Sequence, residues 1–275
     1  MEGRIVKNIS NDYVVKIEDK LYTCKPRGKF RKSNITPLVG DIVEIDVENN
    51  YILDIKKRKN SLIRPSVANI DKAIIVTSVK PKLDTNLLDK LLVLVSYNNI
   101  EPVICFTKLD LLFEYEKEEI NKIITYYKSI GYSVVDNSNL DEINLILKDN
   151  LSVFVGQSGA GKSTLLNKLD DSLELKTNEI SKALGRGKHT TRHVELYSVS
   201  DGLVVDTPGF SALDLSELSN IDIRDNTKEM FDNLDKCKYR DCMHFKEDGC
   251  FIKKMVENEE ILSFRYINYL SFIKK

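Results

Sequence analysis

The chain has 275 residues, 42% of them hydrophobic and 30% charged, with a formal net charge of −1. That composition excludes disordered, collagen-like and membrane-spanning classes and leaves room for one to three folded units. No apolar run is long enough to cross a bilayer, and Met1-Glu2-Gly3-Arg4 does not open a signal peptide, so the cytoplasm is the expected location.

In chain order, residues 1–65 read as five short strands, 4–6, 13–17, 21–24, 41–47 and 51–55, with Asn49-Asn50 as a hairpin turn. Five strands in so short a stretch predict a small all-β barrel of the OB type, an architecture that often binds RNA; an SH3-like barrel would give the same pattern. The stretch carries 14 Lys and Arg against 9 Asp and Glu. The surplus lies in two acid-free runs, one holding Lys25, Arg27, Lys29, Arg31 and Lys32, the other running from Lys56-Lys57-Arg58-Lys59 to Arg64. Solvated loops of a lysine-rich protein look similar, but the sharper expectation is a surface for a phosphate backbone.

Residues 66–225 alternate strands at 73–79, 102–106, 133–135, 151–155 and 203–205 with helices at 87–97, 115–130 and 142–147. This alternation predicts a parallel sheet covered on both faces, with ligands at the carboxyl ends of its strands. Residues 226–275 form a third unit with a Cys/His cluster and a helix over 259–273.

Gly156-Gln157-Ser158-Gly159-Ala160-Gly161-Lys162-Ser163-Thr164 follows an apolar strand and matches a phosphate-binding loop. Its glycines let backbone N–H groups turn toward phosphate, Lys162 neutralises β- and γ-oxygens, and the Ser163 hydroxyl suits Mg²⁺. Downstream, Asp206-Thr207-Pro208-Gly209 fits a D-x-x-G element, with Asp206 holding Mg²⁺ through water and the Gly209 N–H on the γ-phosphate. Upstream stands Thr107-Lys108-Leu109-Asp110, a variant of N-K-x-D with Thr for the usual Asn. Asp110 can accept two hydrogen bonds from guanine, and the Lys108 stem can pack on the base; the plainer reading of Thr107 is a helix cap after a strand. Ser138 is a candidate for the short loop that contacts guanine O6. The base reader thus precedes the phosphate loop, the order of a circularly permuted GTPase. Between them and Asp206, the basic, glycine-rich stretch 185–192 offers Thr190 or Thr191 to close on Mg²⁺. His189 is a candidate for positioning water, against the plainer reading of a loop histidine. Phe210 stands where many GTPases place a water-orienting Gln, so slow intrinsic hydrolysis, completed by a partner, is expected.

Cys237-x4-Cys242-x-His244-x5-Cys250 is a Cys₃His set suited to one tetrahedral structural Zn²⁺ with no open position for catalysis. Cys24 and Cys105 fall in strands and read as inert core residues. An odd, sparse count of five cysteines argues against a disulfide framework.

The ordered set resembles the RsgA (YjeQ) family of bacterial ribosome small-subunit-dependent GTPases over nearly the whole chain. The resemblance is carried by Arg27-Gly28-Lys29-Phe30-Arg31-Lys32, Val39-Gly40-Asp41, Asn69-Ile70-Asp71, Leu88-Asp89-Lys90-Leu91-Leu92, the Thr107–Asp110 motif, the phosphate loop, His189-Thr190-Thr191, Asp206-Thr207-Pro208-Gly209 and the cysteine set. It implies an OB barrel over 1–65, a circularly permuted α/β P-loop GTPase domain over 66–225 and a small zinc-binding α domain over 226–275. It also implies late maturation of the small ribosomal subunit, hydrolysis of GTP to GDP stimulated by that subunit, and contact with its rRNA and with other assembly factors. Thr107 and the loop around Ser138, which lacks the usual following Ala, depart from the family pattern. Nothing in the sequence calls for an obligate dimer, so a monomer is expected. Two rivals stand beside this reading: an RNA-binding module with a nucleotide-sensing site and no required turnover, and a small-molecule kinase or ATPase using the same loop, against which Asp110 speaks.

Overall fold

The computed structural model describes residues 1–10, 12–28, 30, 35–62, 66–173, 194–205 and 214–274. The first unit is a closed barrel of β1 (Glu2–Ile9), β2 (Asp12–Ile17), β3 (Lys20–Pro26), β4 (Ile42–Asp46) and β5 (Tyr51–Ile55), in the order β1-β2-β3-β5-β4. Alternation places Ile5, Tyr13, Val15, Cys24, Val43, Ile45 and Ile52 inside while Glu44 points out. The parallel pairing of β3 with β5 separates this barrel from an SH3-like meander and makes it OB-like. Asn50, with φ of 54°, closes the β4–β5 hairpin in the left-handed region that Asn tolerates. In β1 the register with β2 slips between Ile5 and Lys7, a bulge that bends the end of the strand outward. A short hairpin, β6 (Ser61–Leu62) and β7 (Val67–Ala68), leads out of the barrel.

The central sheet contains β8 (Lys72–Ser78), β9 (Glu101–Thr107), β10 (Ser133–Asp136), β11 (Leu151–Val155), β12 (Leu196–Val199) and β13 (Gly202–Val205). Their order is β10-β9-β8-β11-β13-β12, all parallel except β12. Successive residues of β8 feed opposite faces. Ala73 and Ile75 join one apolar cluster with Leu88, Leu92, Ile120 and Ile123; Ile74 and Val76 join another with Ile143, Leu147, Leu165 and Leu166. So α1 (Thr85–Tyr97) and α2 (Glu114–Ser129) cover one face, and α3 (Leu140–Leu147) and α4 (Lys162–Leu169) the other. The Asp84 carboxylate caps α1 by accepting the Leu87 N–H at 2.9 Å. The chain runs outward from β8 through β9 to β10, then returns to the other side of β8 as β11. That reversal opens a crevice at the carboxyl ends of β8 and β11.

The third unit has four short helices, α5 (Asn220–Asp225), α6 (Lys228–Asp232), α7 (Phe251–Glu257) and α8 (Ser263–Phe272). The expected helix over 259–273 is therefore shorter. Glu259 takes φ of 61°, and the N–H groups of Glu260 and Ile261 both turn back to the Met255 carbonyl, so a tight turn separates α7 from α8. Leu215, Leu218, Ile223, Met230, Ile252 and Tyr269 pack in one cluster with Val93 and Leu94 of α1. Since Leu88, Leu91 and Leu92 face the sheet, α1 is apolar on two sides and lies between the sheet and the third unit.

A buried ionic network crosses that seam. Arg265 of α8 bonds Asp89 of α1 and donates from Nε and Nη2 to Glu229 of α6 at 2.8 and 2.6 Å. Tyr126 donates to Glu229, Tyr127 to Asp89, and the Asn268 amide to Asp89, each at 2.6 Å. Burial alone would raise the Glu229 carboxyl, but Arg265, with the Tyr126 hydroxyl and a backbone N–H, outweighs it and holds the group below the ordinary value. Asp89 is pushed upward by burial, opposed by Arg265 and Asn268.

Candidate active site and metal centre

β11 is buried along its whole length and delivers the phosphate loop at the carboxyl edge of the sheet. Gly156 has φ of 137°, and a Cβ there would lie 2.0 Å from the Val76 carbonyl oxygen, so only glycine lets the loop leave β11 against β8. Gly161, at φ of 100°, caps α4 and leads into Lys162. The Lys162 ammonium donates to the carbonyls of Gly156 and Gln157, both at 2.7 Å. Burial lowers its pKa to about 8. The Ser163 hydroxyl, one residue on in the first turn of α4, is half-buried.

The base-reading motif stands two strands away. Thr107 ends β9, is 2% exposed, and its hydroxyl donates to the Ala160 carbonyl at 2.6 Å. The Lys108 ammonium, on a residue with φ of 62°, reaches the Gly159 carbonyl at 3.0 Å. Thr107 is therefore more than a cap after a strand: with Lys108 it ties the base-reading strand to the phosphate loop. The shorter Thr side chain suffices because β9 brings its end against the loop, where the Thr107 hydroxyl reaches the Ala160 carbonyl directly. Leu109 and Asp110 begin a 3₁₀ turn in which Asp110 is exposed. Ser138 follows β10, whose Asp136 pairs with Phe106 of β9, so its loop lies beside the Thr107 motif. Its N–H donates to the Asp136 carboxylate at 2.6 Å and its hydroxyl bonds the same oxygen. Thr107, Lys108, Leu109, Asp110, Ser138 and the loop from Gly156 to Thr164 thus share one edge of the sheet.

His189, Thr190, Thr191, Asp206 and Gly209 lie outside the described residues, but their approaches do not. β13 ends at Val205, paired with Val153 of β11, and Asp206 is the next residue. On the other side, Val194 and Glu195 lead into β12, and the bulged end of β1 bonds them: the Asn8 N–H donates to the Val194 carbonyl at 3.3 Å, and Lys7 pairs with Glu195 at 2.7 Å.

The Cys₃His set comes together as its spacing predicts. The ligand atoms of Cys237, Cys242, His244 and Cys250 all lie within 4.8 Å of one another. His244 Nδ1 is 3.6 Å from the Cys237 sulfur and 3.4 Å from that of Cys250. Its Nε2 lies 3.1 Å from the Met230 carbonyl, which can only accept, so the proton sits on Nε2 and the Nδ1 lone pair faces the thiols. Burial raises the Cys250 thiol, pushes that of Cys242 up to about 12, and lowers His244. Three thiols packed around an imidazole lone pair, with no pairing among them as disulfides, fit a tetrahedral divalent metal that would ionise the sulfurs. Glu247 accepts the N–H groups of Met243 and Phe245, both at 2.8 Å, and Tyr266 donates to the His244 carbonyl at 2.6 Å, which fixes the loop that carries the ligands.

The basic runs of the barrel divide. Lys25, Arg27, Lys56 and Lys57 are exposed, while Lys29, Arg31, Lys32 and Arg64 lie outside the described residues. Arg58 corrects the reading of the second run: it grips the buried Asp41 with two bonds of 2.7 and 2.8 Å and serves the fold. Lys59 likewise pairs with Asp71, whose other oxygen accepts the Leu151 N–H at 2.7 Å. Sequence reasoning missed these joints and the Arg265 network. The one available signal for the latter was a carboxylate, Asp89, inside the apolar run Leu87–Val95.

The profile of the RsgA GTPase family matches residues 55–216, and that of the RsgA N-terminal domain residues 2–52. A protein of Oceanobacillus iheyensis named small ribosomal subunit biogenesis GTPase RsgA 2 is 50% identical over 100% of this chain and 97% of its own. A protein of Enterococcus faecalis named small ribosomal subunit biogenesis GTPase RsgA is 46% identical over 99% of this chain and 94% of its own. Among solved structures, YloQ, described as a circularly permuted GTPase, has a TM-score of 0.84 at 39% identity, covering 98% of this chain and 93% of its own. YjeQ of Thermotoga maritima has a TM-score of 0.81 at 33% identity, covering 98% and 96%.

Proposed function

This chain belongs to the RsgA family of circularly permuted GTPases, and from that premise we propose that it binds GTP across the β8–β11 crevice, hydrolyses it to GDP and phosphate, and acts in late maturation of the small ribosomal subunit. The observation that carries the site is the bond from Thr107 to Ala160, which makes base reader and phosphate loop one rigid cradle. Asp110 reads the guanine edge, Lys108 packs along the base, and Leu109 and Ser138 border it. The backbone from Gly156 to Thr164 cradles the phosphates. Lys162 would exchange its two carbonyl partners for β- and γ-oxygens, which favour its charged form. Ser163 and Asp206 would hold Mg²⁺, which supplies charge neutralisation on the phosphates. Thr190 or Thr191, Gly209 and His189 complete the γ-phosphate side in this reading. The Cys₃His set holds one structural Zn²⁺.

The barrel over 1–65 presents Lys25, Arg27, Lys56 and Lys57 to rRNA, the nucleotide domain starts at 66, and the metal unit, which the sequence places over 226–275, begins earlier, taking in α5 with Leu215, Leu218 and Ile223 as its apolar seam. The protein works as a cytoplasmic monomer alongside other assembly factors. The test is GTP turnover alone, with small subunits and with large subunits. Strong stimulation by small subunits only is expected; equal slow rates in all three would overturn the ribosomal assignment. A Lys162→Ala variant that still supports subunit maturation would favour the nucleotide-sensing RNA-binding module instead.

A further inference from the structure

Just beyond the base-reading turn the chain exposes three large apolar side chains in five residues. Leu111, Phe113 and Tyr115 are 54%, 62% and 78% exposed. The two rings are stacked, with centroids 5.7 Å apart and planes within 7°. They are held in place before anything touches them. The Phe113 N–H donates to Glu116 Oε2 at 2.8 Å, both Glu116 oxygens accept from Lys80 at 2.6–2.7 Å, and the Lys80 ammonium lies 4.9 Å over the Phe113 ring. A preorganised aromatic pair in water is an interaction surface by default, since covering it buries large apolar area at small entropic cost.

The charges around it select the partner. Asp110, Glu114, Glu116, Glu118 and Glu119 stand in this stretch, and the ion pairs made there are with Lys80, Lys117 and Lys122, while Lys108 turns to the phosphate loop. Lys80 is matched by Glu116, Lys117 by Glu114 at 2.8 Å and Lys122 by Glu118 at 2.9 Å, which leaves Asp110, taken by the base in the reading above, and Glu119, one helical turn beyond Tyr115, as the unmatched acids. A phosphate backbone is repelled here, in contrast to the barrel. Phe113 is already engaged by Lys80 and by the Tyr115 ring, so a guanidinium is attracted by the outer face of Tyr115 and by the carboxylates.

We propose that Phe113, Tyr115 and the acidic first turns of α2 form a docking surface for an arginine-rich protein segment, supplied by a protein of the small ribosomal subunit. The choice of source rests on the function proposed above; the choice of chemistry does not. A Phe113→Ala/Tyr115→Ala variant keeps basal GTP turnover, because neither ring belongs to the nucleotide site. It binds small subunits about tenfold more weakly, the loss expected for one cation–π contact on Tyr115 and the apolar cover of both rings. A benzophenone crosslinker placed at Tyr115 of the full chain attaches to subunit protein. Crosslinking to rRNA, or unchanged subunit affinity in a variant whose melting curve shows it folded, overturns the proposal. If the unaltered protein fails to bind small subunits at all, the ribosomal function is what falls. The surface is then decided by a fluorescein-labelled hexa-arginine peptide read by anisotropy. Weaker binding by the double variant, and weaker binding of hexa-lysine to the unaltered chain, sustain it; equal binding overturns it.

Discussion

The central sheet is joined to its two neighbours in opposite ways. On the barrel side the joint is spread out: an apolar cluster runs without a break from Ile5 and Val43 into Ile75 and Leu151, main-chain bonds link Asn8 to Val194, and the Lys7–Glu195 pair is a third exposed at each end. On the other side it is concentrated. Arg265, Asp89 and Glu229 are 2%, 1% and 4% exposed, and one guanidinium satisfies two carboxylates from different helices. A distributed joint tolerates the loss of any one side chain. A concentrated one fails as a unit, because removing the cation leaves charge stranded away from water.

The largest effect should come from the metal unit itself. With so small an apolar core, its four short helices need the ligands, so Cys250→Ser is expected to release metal and unfold α5–α8 while nucleotide binding persists; a chromophoric chelator and circular dichroism check it. Next, Arg265→Met should cost about 3–5 kcal/mol in denaturant unfolding and expose the seam to protease before the sheet unfolds. Adding Asp89→Asn and Glu229→Gln should recover part of that loss. Thr107→Ala removes a buried hydrogen bond and strands the Ala160 carbonyl, so GTP affinity should fall by about 1–2 kcal/mol, with Thr107→Asn nearer the unaltered chain.

A subtler effect is pH-dependent. The pKa of Lys162 is lowered by burial to about 8 from 10.5, so the free protein gives up this proton as pH rises through 8. Phosphate demands the charged form. Binding of GTP should therefore take up protons above pH 8 and weaken by up to about tenfold per pH unit as pH rises above 8, measurable by calorimetry in buffers of different ionisation enthalpy. The smallest effect belongs to the barrel joint. Lys7→Ala should cost under about 1 kcal/mol in denaturant unfolding, since the exposed pair is screened and the backbone bonds remain. A loss as large as that of Arg265→Met would erase the contrast between the joints.

The nucleotide edge was legible in the sequence because its chemistry is carried by backbone. Gly156 must be glycine where the loop passes Val76, and Gly161 is glycine for its φ of 100°, and such constraints appear as fixed letters at fixed spacing. The cysteine set was legible for the same reason, as four ligands within fourteen residues. The turn between α7 and α8 was not, because Glu259 in a left-handed conformation breaks an otherwise helical pattern without a glycine or proline to mark it. Nor was the Arg265–Asp89 bond, whose partners are 176 residues apart and which obeys no local period. Thr107 looked like a weakened Asn because sequence shows a side chain's length and not how close β9 brings it to the loop.

Helix α1 also bears on how such a protein can evolve. Its inner face holds the sheet core, while Val93, Leu94 and Asp89 are solvable only with α6 and α8 in place. A lineage that discarded Cys237, Cys242, His244 and Cys250 would leave an oily stripe, and a carboxylate stripped of its arginine and held only by Tyr127, on the helix that connects β8 to β9. Loss of the metal unit therefore demands simultaneous rewriting of α1, a valley that single substitutions do not cross. Descendants lacking the cysteines should carry polar residues at positions 93 and 94 and no buried acid at 89.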